Sequence, residues 1–149
     1  MITIRESVFN DTSVIADFQQ KMAFETEDIY LDNNKVRAGV NAVMEDKSKG
    51  FYIVAEEGEI VASMLLTPEW SDWRNGYFLW IQSLYVIPDY RKKGVFRMMY
   101  DFVKNKVNSS EAYVGIKLYV DQHNEVAQKA YEKVGMESSH YRMFEWNKK

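Results

Sequence analysis

Apolar and polar positions along the chain change period several times, and each change marks an element. Residues 1–5 alternate and predict a short strand. Asn10, Asp11, Thr12 and Ser13 then offer capping side chains to a helix running through Val14, Ile15, Phe18 and Met22. A second helix is expected over residues 32–47, with Val36, Val40, Val43 and Met44 on one face. Residues 51–55 and 60–66 are β-rich runs separated by a short Gly-containing turn, the pattern of a hairpin. Residues 68–76 read as a loop carrying Trp70 and Trp73, and residues 77–87 as the longest strand, stopped at Pro88. A basic turn leads into a helix with Val95, Met98, Met99, Phe102 and Val103 inward. A strand at 116–120, a helix at 124–134 stopped by Gly135, and a closing strand at 141–146 complete the series.

The order β-α-α-β-β-β-α-β-α-β describes an antiparallel meander followed by strand–helix units. It predicts an α+β fold, a mixed and mostly antiparallel sheet flanked by helices, rather than a doubly wound parallel sheet. No repeat, proline-rich linker or low-complexity tract interrupts the 149 residues, so one domain spanning 1–149 is expected.

Composition narrows the chemistry. The net charge of -3 argues against a nucleic-acid partner. Cysteine is absent, which removes disulfides, thiolate catalysis and cysteine-bound zinc. His123 and His140 lie 17 residues apart in no metal-binding pattern, so no metal is expected. The N-terminal residues lack a secretory pattern and no apolar run is long enough to span a bilayer. A soluble, cytoplasmic protein without a membrane partner is the expectation.

Residues 81–97 carry the most information. A strand enters a tight basic turn, and the turn opens a helix. The first N–H groups of a helix lack intrahelical partners and sit at its positive end, where a pyrophosphate can accept several hydrogen bonds. Gly94 would let backbone approach the anion closely, and Arg91, Lys92, Lys93 and Arg97 would add positive charge. Taken alone, the same stretch also describes an ordinary connection with a solvated charge run. No G-x-x-x-x-G-K-[ST] or G-x-G-x-x-G sequence occurs.

The segment resembles the acetyl-CoA signature [QR]-x-x-G-x-[GA] of the GCN5-related N-acetyltransferase (GNAT) superfamily. Arg91 and Gly94 match, while Phe96 stands where Gly or Ala is expected. Downstream, Asn124, Ala127, Tyr131, Gly135 and Met136 are similar to the family's N-x-x-A-x-x-x-Y-x-x-x-G-[FM] motif. The resemblance covers essentially the whole chain.

It implies an N-acetyltransferase in which an amine attacks the thioester of acetyl-CoA directly. It implies further that the strand at 81–87 splays from the strand at 116–120, exposing backbone of Leu84, Tyr85 and Val86 to the pantetheine arm. Arg91, Lys92, Lys93, Gly94, Val95, Phe96 and Arg97 would surround the pyrophosphate. Asn124 would contact the cofactor or cap its helix, and Tyr131 would lie beside the sulfur as acid. Gln82 and Ser83 occupy positions where some relatives carry carboxylates, so the base is sought in Glu25 and Glu27, between the first two helices. Glu25, Asp28, Tyr30, Trp70, Trp73 and Gln82 are the acceptor candidates, since carboxylates beside rings suit a small cationic amine. A non-catalytic acyl-CoA sensor of the same fold is the alternative, favoured by Gln82 and Phe96. An edge strand at 141–146 would offer pairing for a homodimer.

Overall fold

The computed structural model describes all 149 residues, and the chain divides into two compact units, Met1–Tyr119 and Val120–Lys149.

The first unit is built on a five-stranded sheet in the order β1-β2-β3-β4-β5. Its strands are β1 (Thr3–Glu6), β2 (Phe51–Glu57), β3 (Glu59–Ser71), β4 (Gly76–Val86) and β5 (Tyr113–Leu118). The first three pairings are antiparallel and β4 with β5 is parallel, giving the mixed sheet that the meander predicts.

Between β1 and β2 lie α1 (Thr12–Glu27) and α2 (Asn33–Glu45). Ile15, Ala16 and Val40 from these helices close over Tyr52 and Val54, with Val36, Val43, Met44, Ile60 and Leu65 around them. Strand side chains alternate between faces, so Ile53 and Met64 turn to the other side, where α3 (Val95–Asn108) packs through Val95, Met99 and Val103. Fully burying each such side chain contributes about 1.5–3 kcal/mol.

Four expectations are corrected here. Asp11 occupies the position before α1 but makes no capping bond. Its carboxylate instead takes the Val8 N–H and both terminal nitrogens of Arg5, tying β1 to the start of the helix. α1 continues through Glu27, so Glu25 and Glu27 lie on its last turn rather than in a loop. Asp28 ends it in the left-handed conformation, φ 53°, with its N–H returned to Phe24 O. Residues 68–71 belong to β3 rather than to a loop, because β4 continues the ladder as far as Ser71↔Gly76.

The second unit holds α4 (Glu125–Lys133), which begins where the Asn124 side chain accepts the Ala127 N–H at 3.1 Å. It ends where Gly135, φ 95°, turns the chain so that Met136 N–H reaches Tyr131 O. The fourth correction falls here: residues 141–146, expected as a closing strand, form no strand. Tyr141, Phe144 and Trp146 express β propensity, but a strand also requires a neighbour's hydrogen-bond ladder.

Candidate active site

β4 has two different edges. Along β3 it is paired up to Ala62↔Val86, whereas along β5 the pairing ends at Ile81↔Leu118. The outer edge of residues 82–86, where the resemblance puts Leu84, Tyr85 and Val86 against the cofactor, therefore lies beyond the shared ladder. A β-bulge coincides with it: Leu66 pairs with Ile81 and Leu65 with Ser83, leaving Gln82 without an opposite residue. Bulges re-aim side chains and end pairing, and this one sits where β4 and β5 part.

At the end of β4 the chain makes a short 3₁₀ turn over Pro88–Tyr90 and then a second turn into α3. Lys92 and Gly94 both take left-handed backbone, φ 63° and 79°. A Cβ at Gly94 would meet nothing within 4 Å, so glycine serves the backbone angle here and leaves open space before the helix. α3 starts with no side-chain cap. Arg91, Lys92, Lys93 and Arg97 are all exposed around this point. Phe96, the departure from the signature, lays its ring 6.0 Å from that of Tyr100, one turn further along the helix and away from its start. A diphosphate fits these features: an uncapped helix start, a glycine without obstruction and four cations.

Arg91 is already held. Its Nε donates to Val86 O and its Nη2 to Glu25 Oε1, both at 2.8 Å, and its guanidinium lies 5.4 Å from the Tyr85 ring centroid. Tyr85 is buried on the α1 face, 5.1 Å from the Phe18 ring. Burial, together with the Glu25 hydrogen bond and charge, pushes its phenol up to about 12. The hydrogen bonds from Tyr85 and Arg91 hold the Glu25 carboxyl below its usual range. Lys93 rests over the Tyr90 ring, and the Tyr90 hydroxyl donates to Glu57 at 2.8 Å.

The other expected site residues are placed as follows. Glu27 is two residues beyond Glu25, about 200° around a helix, so the two carboxylates project from opposite sides of α1. Tyr30 is exposed and stacks on Phe24 at 5.3 Å. Gln20 pins this connection by bonding both Leu31 N–H and Leu31 O. Trp70 meets Tyr77 edge-on at 5.0 Å, and Trp73 is exposed at the β3–β4 turn. That turn is roughly 20 Å along β4 from Gln82, at about 3.3 Å per residue. Gln82 donates to Thr67 Oγ1 at 3.0 Å. In the second unit, Asn124 caps α4, and burial raises the Tyr131 phenol above its ordinary value, keeping it protonated at neutral pH.

The register also gives Glu69, which the sequence offers beside Trp70 and Trp73, partners that sequence reasoning missed. Thr67 opposes Trp80 and Glu69 opposes Phe78, while Trp80 lies beside Lys117 of β5. Glu69 accepts from Trp80 Nε1 at 2.6 Å and from Lys117 Nζ at 2.9 Å. Lys117 Nζ sits 4.1 Å from the Phe78 ring centroid, and Tyr119 stacks on Trp80 at 4.5 Å. Gly115 makes room, because a Cβ there would stand 2.8 Å from the Phe78 ring. Glu69 and Trp80 are eleven residues apart, and only the hairpin register could have joined them.

Comparison with known proteins supports the same assignment. The model of the acetyltransferase (GNAT) family matches residues 9–136, across both units. The structure of a possible acetyltransferase from Clostridium difficile 630 is similar over 99% of this chain and 97% of that one, with 42% identity and a TM-score of 0.92. An aminoglycoside N-acetyltransferase, AAC(6')-Iy, solved with CoA, shares the fold at 12% identity, TM-score 0.80, covering 99% of this chain and 95% of that one. A ribosomal-protein-alanine N-acetyltransferase from Brucella melitensis biovar Abortus 2308 does so at 14% identity and TM-score 0.77, covering 99% of both chains. No curated protein matches the sequence. No helix is long and apolar enough to cross a membrane. A family match over most of the chain and a 42%-identical structural relative make this protein a member of the GNAT acetyltransferase family, an acyltransferase that uses acetyl-CoA.

Proposed function

We propose that the protein transfers the acetyl group of acetyl-CoA to the primary amine of a small cationic acceptor. The observation that carries this reading is the edge of β4 over residues 82–86, which β5 leaves unpaired and of which Arg91 takes the Val86 carbonyl, running directly into the uncapped, cation-ringed start of α3. Bound acetyl-CoA supplies a thioester activated toward amines. The backbone of Leu84, Tyr85 and Val86 would hold its amide arm by hydrogen bonds, as an added strand would. The turn from Arg91 to Arg97 would hold its phosphates, with N–H groups at Val95, Phe96 and Arg97 and charge from the basic side chains. Asn124 retains amide donors beyond its capping bond and is the further cofactor contact in this reading.

Tyr131 is the proposed acid, with Oη giving its proton to the departing sulfur as the C–S bond breaks, while the proton lost by the attacking nitrogen passes to solvent, from which the phenol is reprotonated. For the acceptor we propose the sheet face bearing Glu69, Trp80 and Gln82. Glu69 makes two hydrogen bonds there, and a carboxylate has about four lone-pair sites, so capacity remains for an ammonium. Trp80 offers a ring face to the same charge. Asp28 and Tyr30 at the end of α1, and Trp70 and Trp73 further out along the hairpin, form its periphery in this reading. Resemblance to an aminoglycoside N-acetyltransferase is consistent with a polycationic acceptor, although at 12% identity that neighbour shares only the fold.

The test is acceptor-dependent release of free thiol from acetyl-CoA across a panel of polyamines, amino sugars, amino acids and peptide N-termini. Turnover concentrated on cationic small amines is expected. A preference for anionic or peptide-terminal acceptors would sink the acceptor assignment.

A further inference from the structure

Glu25 looks at first like a base, a carboxylate on the last turn of α1 close to the splayed strand. Its contacts point elsewhere. Its Oε1 takes Arg91 Nη2 at 2.8 Å. Arg91 in turn gives Nε to Val86 O at 2.8 Å and lies against the Tyr85 ring. The guanidinium is thus gripped by the end of α1, the last carbonyl of β4 and an aromatic face. Two of its three nitrogens are engaged, and the Nη1 edge is left for a ligand.

We propose that Glu25 is a positioning residue for coenzyme A: it locks Arg91 in place so that the guanidinium meets the cofactor phosphates already oriented. This rests on the reading that the turn before α3 holds those phosphates. A free arginine samples many rotamers and must be ordered when it binds, whereas one held in advance avoids that cost. A carboxylate near an anion site also repels the anion, so the two effects of Glu25 on cofactor affinity have opposite signs. The repulsion acts across solvent at an exposed turn, where salt screens it. Orientation acts on the contacting group itself and is the larger effect.

The pair does not owe its presence to folding. Its side chains are 44% and 35% exposed, and ion pairs that accessible add little stability. A carboxyl held below its usual range is also a weaker base, which disfavours proton transfer from a substrate amine.

The experiment is calorimetric titration of coenzyme A into the wild-type chain, Glu25→Gln, Arg91→Ala and the double variant, with melting temperatures and steady-state kinetics on each. Glu25→Gln should weaken coenzyme A about tenfold, equivalent to about 1.4 kcal/mol. It should leave kcat at saturating acetyl-CoA within twofold, leave the pH profile unmoved and melt like wild type. In the Arg91→Ala background it should have no further effect, because Glu25 acts through Arg91. Equal or tighter binding by Glu25→Gln overturns the proposal. So does a loss of kcat with affinity intact, which would make Glu25 a proton carrier, and so does an undiminished effect in the double variant. Absence of coenzyme A binding by the wild-type chain would instead strike at the phosphate-site reading.

Discussion

Lys117 Nζ lies 2.9 Å from Glu69 Oε1 and 4.1 Å from the centre of the Phe78 ring, so one ammonium on β5 bridges a carboxylate on β3 and an aromatic face on β4. Both charged side chains are about two-fifths exposed, which leaves the pair open to competition from a ligand. With Glu69→Gln the KM for cationic acceptors should rise about tenfold, the value of one charge-assisted contact. Coenzyme A affinity should not change. Steady-state kinetics beside calorimetry separates the two, and an unchanged acceptor KM would remove Glu69 from the site.

Gly94→Ala tests the turn. Its φ of 79° places a Cβ in left-handed backbone, costing about 1–2 kcal/mol although nothing crowds the position. A lower melting temperature and weaker coenzyme A binding should appear together. Weakened folding with full cofactor affinity would show that the backbone there does not approach the ligand.

Tyr131→Phe keeps the ring and removes the proton. Loss of a general acid is expected to lower kcat by about 100-fold or more with little effect on coenzyme A affinity. Because burial raises this phenol above its ordinary value, it keeps its proton at neutral and mildly alkaline pH, so the wild-type rate should not decline through its titration there. A variant with unchanged kcat would assign Tyr131 to packing.

Acid should loosen the first unit at Asp11. Burial alone would raise this carboxyl, but the bonds from Arg5 and the Val8 N–H outweigh it and the net shift is downward. A carboxyl lowered by folding contributes stability that is complete above its unfolded value, about 3.8, and is lost as pH falls through the lower folded value. Denaturant midpoints should therefore drop below about pH 4. Arg5→Ala should flatten that dependence and cost about 2–3 kcal/mol at neutral pH, since it leaves a buried carboxylate underpaired. A pH response identical to wild type would contradict the sign worked out here.

Ser63 sits opposite Tyr85 in the sheet, 1% exposed, with a hydroxyl that has no hydrogen-bond partner. An unsatisfied buried hydroxyl costs about 1–3 kcal/mol, so Ser63→Ala should stabilise the fold by about 1 kcal/mol in urea unfolding. Destabilisation would mean that the hydroxyl is satisfied in solution.

Much of the fold was legible because its signals are local. The continuous apolar runs of β2 and β4, the turn at Gly58 and the apolar face of α3 are each legible within a few neighbouring residues. The errors share one cause. Residues 68–71 join β3 because β4 lies alongside them, and residues 141–146 form no strand despite their aromatic side chains. In both places the hydrogen-bond ladder, which belongs to two segments, outweighs the propensity of one.

The candidate site divides along the same line. A basic turn with Gly94 leading into an amphipathic helix is contiguous, so the sequence by itself offered it as a candidate anion site, because helix start, glycine and charge need no other part of the chain. Tertiary structure alone decided that Glu25 reaches Arg91 across 66 residues and that Glu69 meets Trp80 and Lys117. Those pairings depend on where α1 ends and on how three strands align, and a shift of a single residue in register would turn each side chain to the opposite face.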